Sequence, residues 1–314
     1  MCGSDLHTYR APKGGAAAGL GLGGDGSPVI AGHEPCGVVV ARGSGVSDRQ
    51  VRIGQRVMNF HYDGCGVCQH CRQGWTQMCA EGATVYGLTG HGAHAPFMKM
   101  PAGTLVSLPD QLSFVEGAAV SCGAGTAYNA LRRMGVRGGS TLAVFGQGPV
   151  GLAATIFASA MGARVFAVDI APERLALAQS FGAEQTINSA SQETGFVLKE
   201  LTHGEGVEFA LDASGAPEAR AAAVRVCRAW GTACFVGEGK TVTLDVSQDM
   251  LRKQLTIIGS WTFNITGQAD CARFVADNQI ALERLFTHRF ALEEAEEAYR
   301  LFDKQTIGKG VFVF

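Results

Sequence analysis

The 314-residue sequence lacks any apolar run that approaches the roughly 20 residues needed to span a bilayer. It has no cluster of lysines and arginines, and 26 basic against 28 acidic residues leave a formal net charge of −2, unlike a typical nucleic-acid-binding protein. The first residues show neither the basic nor the apolar region of a signal peptide. These absences predict a soluble, cytoplasmic protein with a small-molecule partner and no nucleic-acid or membrane partner.

Glycine and cysteine are the residues that the sequence has in abundance. With 46% hydrophobic and 17% charged residues, the chain has the composition of a folded protein, and it is long enough for two domains. Some of the 43 glycines lie in the stretch 14–27, which we predict to be a flexible surface loop. Ten cysteines without a secretion signal favour metal or thiol chemistry over disulfides.

Four cysteines stand close together in residues 65–79, CGVCQHCRQGWTQMC. Their separations of three, three and eight residues predict a closed tetrahedral zinc site, which is structural because no ligand position stays open. An iron–sulfur cluster, or four cysteines without a metal, are the alternatives. The predicted ligands are Cys65, Cys68, Cys71 and Cys79.

Three other stretches carry a second set of candidate metal ligands: CGSDLH at the start, AGHEPCG around His33 and SCGAGTAYNAL around Cys122. Each is weak alone, because a single histidine or an apolar cysteine is more often an ordinary buried residue. Together Cys2, His33 and Cys122 supply two thiolates and an imidazole. A catalytic zinc uses this donor set while it keeps a fourth position open for water or substrate.

Residues 140–151, STLAVFGQGPVG, place a glycine pattern between an apolar strand and a helix-like stretch. The glycines permit a tight turn, the approach of a pyrophosphate and close packing of helix on strand, and the helix N-terminus attracts phosphates. The predicted cofactor-binding residues of this turn are Gly146, Gly148, Pro149, Val150 and Gly151.

A second strand pattern, RVFAVD, ends at Asp169, 18 residues after Gly151. Its carboxylate is placed to accept hydrogen bonds from the adenosine ribose and would repel a 2′-phosphate, so the sequence predicts NAD rather than NADP. Arg174, five residues further on, is also a predicted cofactor-binding residue, and its charge acts in the opposite direction.

From Cys2 to Phe314 these motifs resemble the zinc-dependent alcohol dehydrogenases of the medium-chain dehydrogenase/reductase family. The resemblance implies a structural zinc in the four-cysteine lobe and a catalytic zinc on Cys2, His33 and Cys122, hence two zinc ions per chain. It makes Glu34 either a residue that supports the ligands from beside them or an alternate ligand. It makes Asp5 the residue that orients the ligating histidine.

Further roles follow from the same resemblance. Ser4 and His7 would carry the substrate's proton to solvent, and the alternative is that both are solvated polar residues. Thr126 would contact the nicotinamide and Lys309 the pyrophosphate. The implied reaction is hydride transfer between an alcohol and NAD in a homodimer or homotetramer. A truncated relative that binds zinc and dinucleotide without catalysis is the alternative.

The sequence does not identify the alcohol: a secondary alcohol, a polyol, an amino alcohol such as threonine and a primary alcohol all remain open. His61, Tyr62 and Trp261 are candidate pocket walls, and a buried core position is the alternative for Trp261. A cysteine rather than a carboxylate as the third ligand, Cys122, leans towards the alcohol dehydrogenase branch of the family over the polyol branch.

Strand and helix patterns alternate from 124 to 262, which predicts an α/β, doubly wound (Rossmann) parallel sheet. Residues 1–123 and 263–314 would form a discontinuous, mainly β, GroES-like catalytic domain. Family members ordinarily have several strands ahead of the first zinc cysteine. We therefore expect Met1 to be an internal methionine of a longer chain, and Cys2 to lie on a loosely held end.

Overall fold

A computed structural model of the protein describes residues 1–11, 27–239, 241–304 and 308–314. Nearly all of the predicted glycine-rich loop lies outside these residues. The chain divides into a first unit, Met1–Gly125 together with the C-terminal part that starts at Phe263, and a second unit, Thr126–Thr262. Within the described ranges, no helix combines the length and the apolarity that a membrane crossing needs.

The first unit is built from short strands and peripheral helices. Its elements, labelled in chain order over the described residues, are α1 (Gly3–Arg10), β1 (Cys36–Val38), β2 (Arg56–Asn59), β3 (Tyr62–Asp63), α2 (Gln69–Arg72), β4 (Thr84–Val85), β5 (Leu105–Ser107), α3 (Phe114–Val120), α9 (Ile265–Asp277), β12 (Phe286–Phe290), α10 (Ala295–Asp303) and β13 (Lys309–Phe312). Strands β1, β2 and β5 form an antiparallel sheet, β3 pairs with β4, and β12 pairs with β13.

The second unit is a parallel sheet with helices between its strands. Its elements are α4 (Gly123–Met134, which starts in the first unit), β6 (Thr141–Phe145), α5 (Pro149–Ala160), β7 (Arg164–Asp169), α6 (Pro172–Ser180), β8 (Gln185–Asn188), α7 (Thr194–Leu201), β9 (Val207–Asp212), α8 (Pro217–Val226), β10 (Cys227–Phe235) and β11 (Thr256–Gly259). The central strands are apolar over almost their whole length, because a parallel sheet is covered on both faces.

The strand order β11-β10-β9-β6-β7-β8 fixes where a ligand can bind in the second unit. After β6, the strands β7 and β8 follow on one side of it. The later strands β9, β10 and β11 follow on its other side, so the direction of strand addition reverses between β6 and β9. In doubly wound sheets, ligands bind beyond the carboxyl ends of the strands at this point. The glycine pattern follows β6 directly, and the turn at Asp212–Gly215 follows β9.

A buried arginine joins two turns at this end of the sheet. The Arg220 guanidinium donates to Asp212 Oδ2 at 3.3 Å and to the carbonyls of Gly237 and Gly239 at 2.5 and 2.9 Å. Asp212 is fully buried, and its Oδ1 also accepts from the backbone N–H of Ser214. The ion pair therefore fixes the turns that follow β9 and β10.

We predict that Arg220→Met destabilises the protein by about 3 kcal/mol or more, since it leaves the buried Asp212 carboxylate uncompensated. Arg164→Met is the control: its ion pair with Glu184 is about 40% exposed on each side, and such pairs contribute about 0–1 kcal/mol. Urea unfolding of both variants measures the difference. Equal losses would contradict the role given to Arg220.

Candidate functional site

One carboxylate of the first unit holds two of the predicted metal ligands. Asp5 Oδ2 accepts the backbone N–H of Cys2 at 2.7 Å, and Oδ1 lies 3.0 Å from His33 Nδ1. Burial acts to raise the pKa of Asp5, but the His33 ring beside it holds that pKa well below its usual range. An ionised carboxylate only accepts, so Nδ1 of His33 donates to it and Nε2 is the ring nitrogen left to face a metal.

The structure brings the three predicted catalytic ligands together. One donor atom each of Cys2, His33 and Cys122 lies within 4.8 Å of the other two, and the two sulfur atoms are 3.9 Å apart. His33 Nε2 is buried and has no hydrogen-bond partner in the described residues. Buried ring nitrogens of histidine normally have a hydrogen-bond partner. Two thiols and an imidazole lone pair in this arrangement fit a zinc ion with one position left open.

Glu34 is not part of this ligand group. Both of its oxygens lie 2.6 Å from Lys309 Nζ, and the α-amino group of Met1 is 3.2 Å away. Burial acts to raise the pKa of Glu34, but these two cations lower it to about 2. The carboxylate is therefore engaged by positive charge rather than directed at the metal ligands. The contact found for Lys309 is this one, and its predicted contact with the pyrophosphate stays a prediction.

The expectation that Cys2 lies on a loosely held end is wrong, because Met1 and Cys2 are both buried. The Met1 side chain packs against Ala298 and Phe302 of α10, and its α-amino group donates to the Gly310 carbonyl at 3.0 Å. The residue ahead of α1 is thus held by contacts near the other end of the chain that the sequence does not reveal.

The four cysteines of residues 65–79 also converge, with their sulfur atoms within 4.8 Å of one another. Backbone N–H groups point at the sulfurs: Cys65 donates to Cys79 and Cys68 donates to Cys65, each at 3.3 Å. Such bonds favour thiolates, and the N–H groups of Ala80 and Cys71 lower the pKa of Cys68 to about 6. A Cβ on Gly64 would lie 2.7 Å from the Cys71 sulfur, so the close approach requires glycine. The site fits a closed four-thiolate zinc.

In the second unit, the glycine pattern forms the turn between β6 and α5. Gly146 has φ +86°, and a Cβ on Gly151 would lie 1.8 Å from the Gly146 carbonyl oxygen. A Cβ on Gly148 would meet nothing within 4 Å, so the backbone is open there, and Pro149 starts α5 with Val150 as its second residue. The turn therefore fits a bound pyrophosphate at the helix N-terminus.

Asp169 ends β7 and joins two turns. Its Oδ2 accepts the backbone N–H of Gln147, inside the glycine pattern, at 2.6 Å. Its Oδ1 accepts the N–H groups of Ile170 and Ala171 at 2.7 and 2.9 Å. Arg174 Nη1 lies 3.8 Å from Oδ2. The carboxylate has a fixed position beside the glycine turn, and Arg174 faces it.

The remaining predicted residues differ in their exposure. Ser4 is half-buried and His7 is exposed on α1, while Thr126 is buried on α4. Tyr62 is buried in β3, and Trp261 is 41% exposed, so the alternative of a core position for Trp261 is wrong.

His61 has an orientation that the sequence gave no means to predict. Its Nδ1 lies 3.2 Å from the Ser121 carbonyl, next to Cys122, and its ring meets the His33 ring edge to face with centroids 5.1 Å apart. Burial, together with the neighbouring His33, lowers the pKa of His61 to about 3, so the ring is neutral.

Comparisons with known proteins agree with both units. Residues 1–110 match the family model of the alcohol dehydrogenase GroES-like domain, and residues 149–277 match that of zinc-binding dehydrogenases. An uncharacterised zinc-type alcohol dehydrogenase-like protein of Escherichia coli (strain K12), YphC, is 38% identical over 100% of this chain and 89% of its own. The chain belongs to the zinc-dependent alcohol dehydrogenases.

Other members of this family are similar along nearly the whole chain. Sorbitol dehydrogenase 1 of Saccharomyces cerevisiae is 31% identical over 95% of this chain and 83% of its own. The structure of the alcohol dehydrogenase TADH of Thermus sp. ATN1 superposes with a TM-score of 0.88 at 29% identity, covering 100% of this chain and 89% of that one. The predicted fold class is confirmed, and so is a zinc-dependent oxidoreductase of alcohols that uses a nicotinamide dinucleotide.

We predict that Asp5→Asn weakens zinc binding at the three-residue site about 10- to 100-fold, because the variant loses the charged partner of His33. Asp303→Asn is the control, since Asp303 also pairs with α1, through Arg10, but lies on an exposed surface. Zinc retained against a chelator is measured for each. Equal retention by the two variants would contradict the role of Asp5.

Proposed function

We propose that the protein is an NAD-dependent alcohol dehydrogenase with two zinc ions per chain. Cys2, His33 and Cys122 hold the catalytic ion, and the four cysteines of residues 65–79 hold the structural one. The observation that carries the proposal is the buried, unpartnered Nε2 of His33 beside two thiols, in the described part of the chain. One ring nitrogen of His33 and the two sulfur atoms lie within 4.8 Å of one another.

Zinc, when bound, makes a coordinated hydroxyl much more acidic, as it does for water, whose pKa falls from 15.7 to about 7. The chain's own residues orient the metal ligand and carry away the substrate's proton. Asp5 keeps His33 in the tautomer that binds metal through Nε2. Removal of the substrate's proton falls to Ser4 and His7.

Helix geometry supports this proton path. Ser4 and His7 are three residues apart on α1 and therefore share one face of it. Ser4 is half-buried and His7 is exposed, so a hydroxyl and then an imidazole lead outward to water. A histidine suits the outer position because a ring nitrogen can accept the proton and pass it to water.

The preference for NAD rests on Asp169. Its fixed carboxylate can accept from ribose hydroxyls and repels a 2′-phosphate, and the Arg174 guanidinium is drawn towards that carboxylate. Gly146, Gly148 and Gly151 shape the pyrophosphate turn, and contacts of Thr126 with the nicotinamide and of Lys309 with the pyrophosphate complete the proposal.

The proposed substrates are alcohols with a secondary hydroxyl, polyols among them. Similarity to sorbitol dehydrogenase 1 supports polyols, against the leaning given by Cys122 as third ligand. A homodimer or homotetramer and a cytoplasmic location stay predictions.

The test combines metal counting with cofactor kinetics. We expect two zinc ions per chain, NAD reduction with a panel of secondary alcohols and polyols, and a kcat/KM for NAD well above that for NADP. His7→Ala should slow alcohol oxidation, with partial recovery in imidazole buffer, because it removes the outer proton acceptor.

Specific results would contradict each part. One zinc per chain without alcohol oxidation would support the non-catalytic alternative. Equal efficiency with NADP would overturn the cofactor preference, and an unchanged His7→Ala rate would overturn the proton path.

A further inference from the structure

A network of four buried residues in the first unit joins the segment that carries His33 to the segment that carries Cys122. Pro35 lies two residues after His33, and Ser121 directly precedes Cys122. The other two members come from β2 and α9. The four-residue network consists of Pro35, Asn59, Ser121 and Gln268. Two of the proposed zinc ligands therefore have close chain neighbours in one network.

Hydrogen bonds connect the four residues in a closed circuit. The Pro35 carbonyl accepts the Asn59 N–H at 3.2 Å and lies 3.1 Å from the Ser121 hydroxyl. The Gln268 Nε2 group donates to the Asn59 carbonyl at 3.3 Å and to the Ser121 hydroxyl at 3.2 Å. The Ser121 hydroxyl also lies 2.9 Å from the Gly117 carbonyl, so its one hydrogen is shared between two acceptors. Each member of the network is thus bonded to two of the others.

Asp5 holds Cys2 and His33 through hydrogen bonds, and Cys122 is held differently. The Cys122 sulfur lies 3.9 Å from the Cys2 sulfur, and a thiol is only a weak donor. The position of this sulfur relative to His33 therefore depends on the backbone on either side of Cys122.

That backbone is attached at two points to the segment that follows the ligating histidine. After Cys122, the Gly123 N–H lies 3.4 Å from Glu34 Oε1, which is a long hydrogen bond. Before Cys122, the Ser121 hydroxyl lies 3.1 Å from the Pro35 carbonyl. The four-residue network therefore provides the shorter of the two attachments.

Gln268 is a costly residue for its position if it serves stability alone. Its side chain is fully buried, and its Oε1 makes no hydrogen bond within the described ranges of the chain. An apolar side chain of similar length would avoid an unpartnered buried acceptor. It could not donate to Asn59 and Ser121 at once, which is what fixes the two segments in one arrangement. A role in the position of Ser121 accounts for the amide, whereas a role in stability alone does not.

We propose that Ser121 and Gln268 are positioning residues for Cys122. Through the four-residue network they hold its sulfur at a distance from His33 that one metal ion can bridge. The inference rests on the proposed function, since it assumes a zinc ion at Cys2, His33 and Cys122. Zinc binds a thiolate at about 2.3 Å and an imidazole nitrogen at about 2.0–2.1 Å, so a small displacement of one ligand weakens coordination. Residues that orient ligands without touching the metal change metal affinity about 10- to 100-fold when they are replaced.

Zinc affinity is the direct measurement, made on the folded protein without cofactor by competition with a chelator. Gln268→Met keeps the length of the side chain and removes both donors. We expect it to raise the zinc dissociation constant of the three-residue site about tenfold, the size of one hydrogen bond. The four-cysteine site should keep its affinity. Cys2→Ala shows which affinity belongs to which site, because it removes a ligand from the three-residue site.

Ser121→Ala tests the same network with a smaller change, the loss of one oxygen atom. We expect an increase of similar size in the zinc dissociation constant. In the double variant with Gln268→Met, the increase should be less than the product of the two single increases, because both substitutions break the same hydrogen bond.

Cobalt(II) in place of zinc adds a spectroscopic signature of the coordination geometry. The difference in visible absorption between a protein and its Cys2→Ala variant isolates the three-residue site. Its bands should shift in Ser121→Ala and in Gln268→Met, because the cysteine sulfur is displaced. A loss of stability elsewhere in the protein would not move them.

Thr202→Val is the matched control for the loss of a buried hydroxyl. Thr202 is buried in the second unit, where its hydroxyl donates to the Leu198 carbonyl at 2.6 Å and accepts the Gly206 N–H at 3.0 Å. We expect this variant to be less stable in urea unfolding. Its zinc affinity and cobalt spectrum at the three-residue site should stay unchanged.

The outcomes separate this inference from the proposed function. If Cys2→Ala binds as much zinc as the unchanged protein, the proposed function fails and this inference fails with it. If Cys2→Ala loses one zinc ion, the positioning role alone is wrong in either of two cases. In the first, Ser121→Ala and Gln268→Met keep the full affinity or the cobalt spectrum. In the second, Thr202→Val weakens zinc binding as much as they do. Should Gln268→Met not fold, Ser121→Ala decides by the same criteria.

Discussion

The carboxylate of Asp5 is the constraint on which the proposed metal site depends. One oxygen holds the backbone of Cys2 and the other holds the ring of His33, so two ligands that lie 31 residues apart in sequence are set by one group. A buried, ionised carboxylate is costly unless its oxygens are hydrogen-bonded, and both oxygens of Asp5 are. The third proposed ligand, Cys122, lies between α3 and α4 and follows Ser121, whose carbonyl contacts His61.

The second unit applies the same principle to a different ligand. Asp169 joins the glycine turn to the turn after β7 through three backbone N–H groups, and Arg220 joins the turns after β9 and β10 through Asp212. In both units, a buried carboxylate that accepts several hydrogen bonds fixes loops at the place where we propose that a charged group binds. The strands determine where the loops begin, and these carboxylates hold the loops in one position.

The sequence predicted those parts of the molecule that local patterns encode. The spacing of Cys65, Cys68, Cys71 and Cys79 and the glycine pattern between strand and helix each act within a few residues, so their chemistry can be read directly. The Rossmann sheet followed from the alternation of elements. The short strands of the first unit carry no comparable periodicity, and their pairing depends on contacts distant in sequence.

Contacts between distant residues explain what could not be predicted. Lys309 and Glu34 are 275 residues apart, and no local signal indicates that the lysine neutralises the glutamate. The burial of Met1 depends on α10, near the other end of the chain. The orientation of His61 depends on Ser121, which is itself hydrogen-bonded to Gln268. These three residues come from three separate segments of the chain.

The most direct test of this account is the location of the metal by anomalous diffraction at the zinc edge in crystals of the zinc-loaded protein. The account predicts two peaks per chain. One lies about 2.3 Å from the sulfurs of Cys2 and Cys122 and about 2.0–2.1 Å from His33 Nε2, with Asp5 still on Nδ1. The other lies among the four cysteines. A single peak at the four cysteines, or a second zinc bound through Glu34 in place of His33, would contradict it.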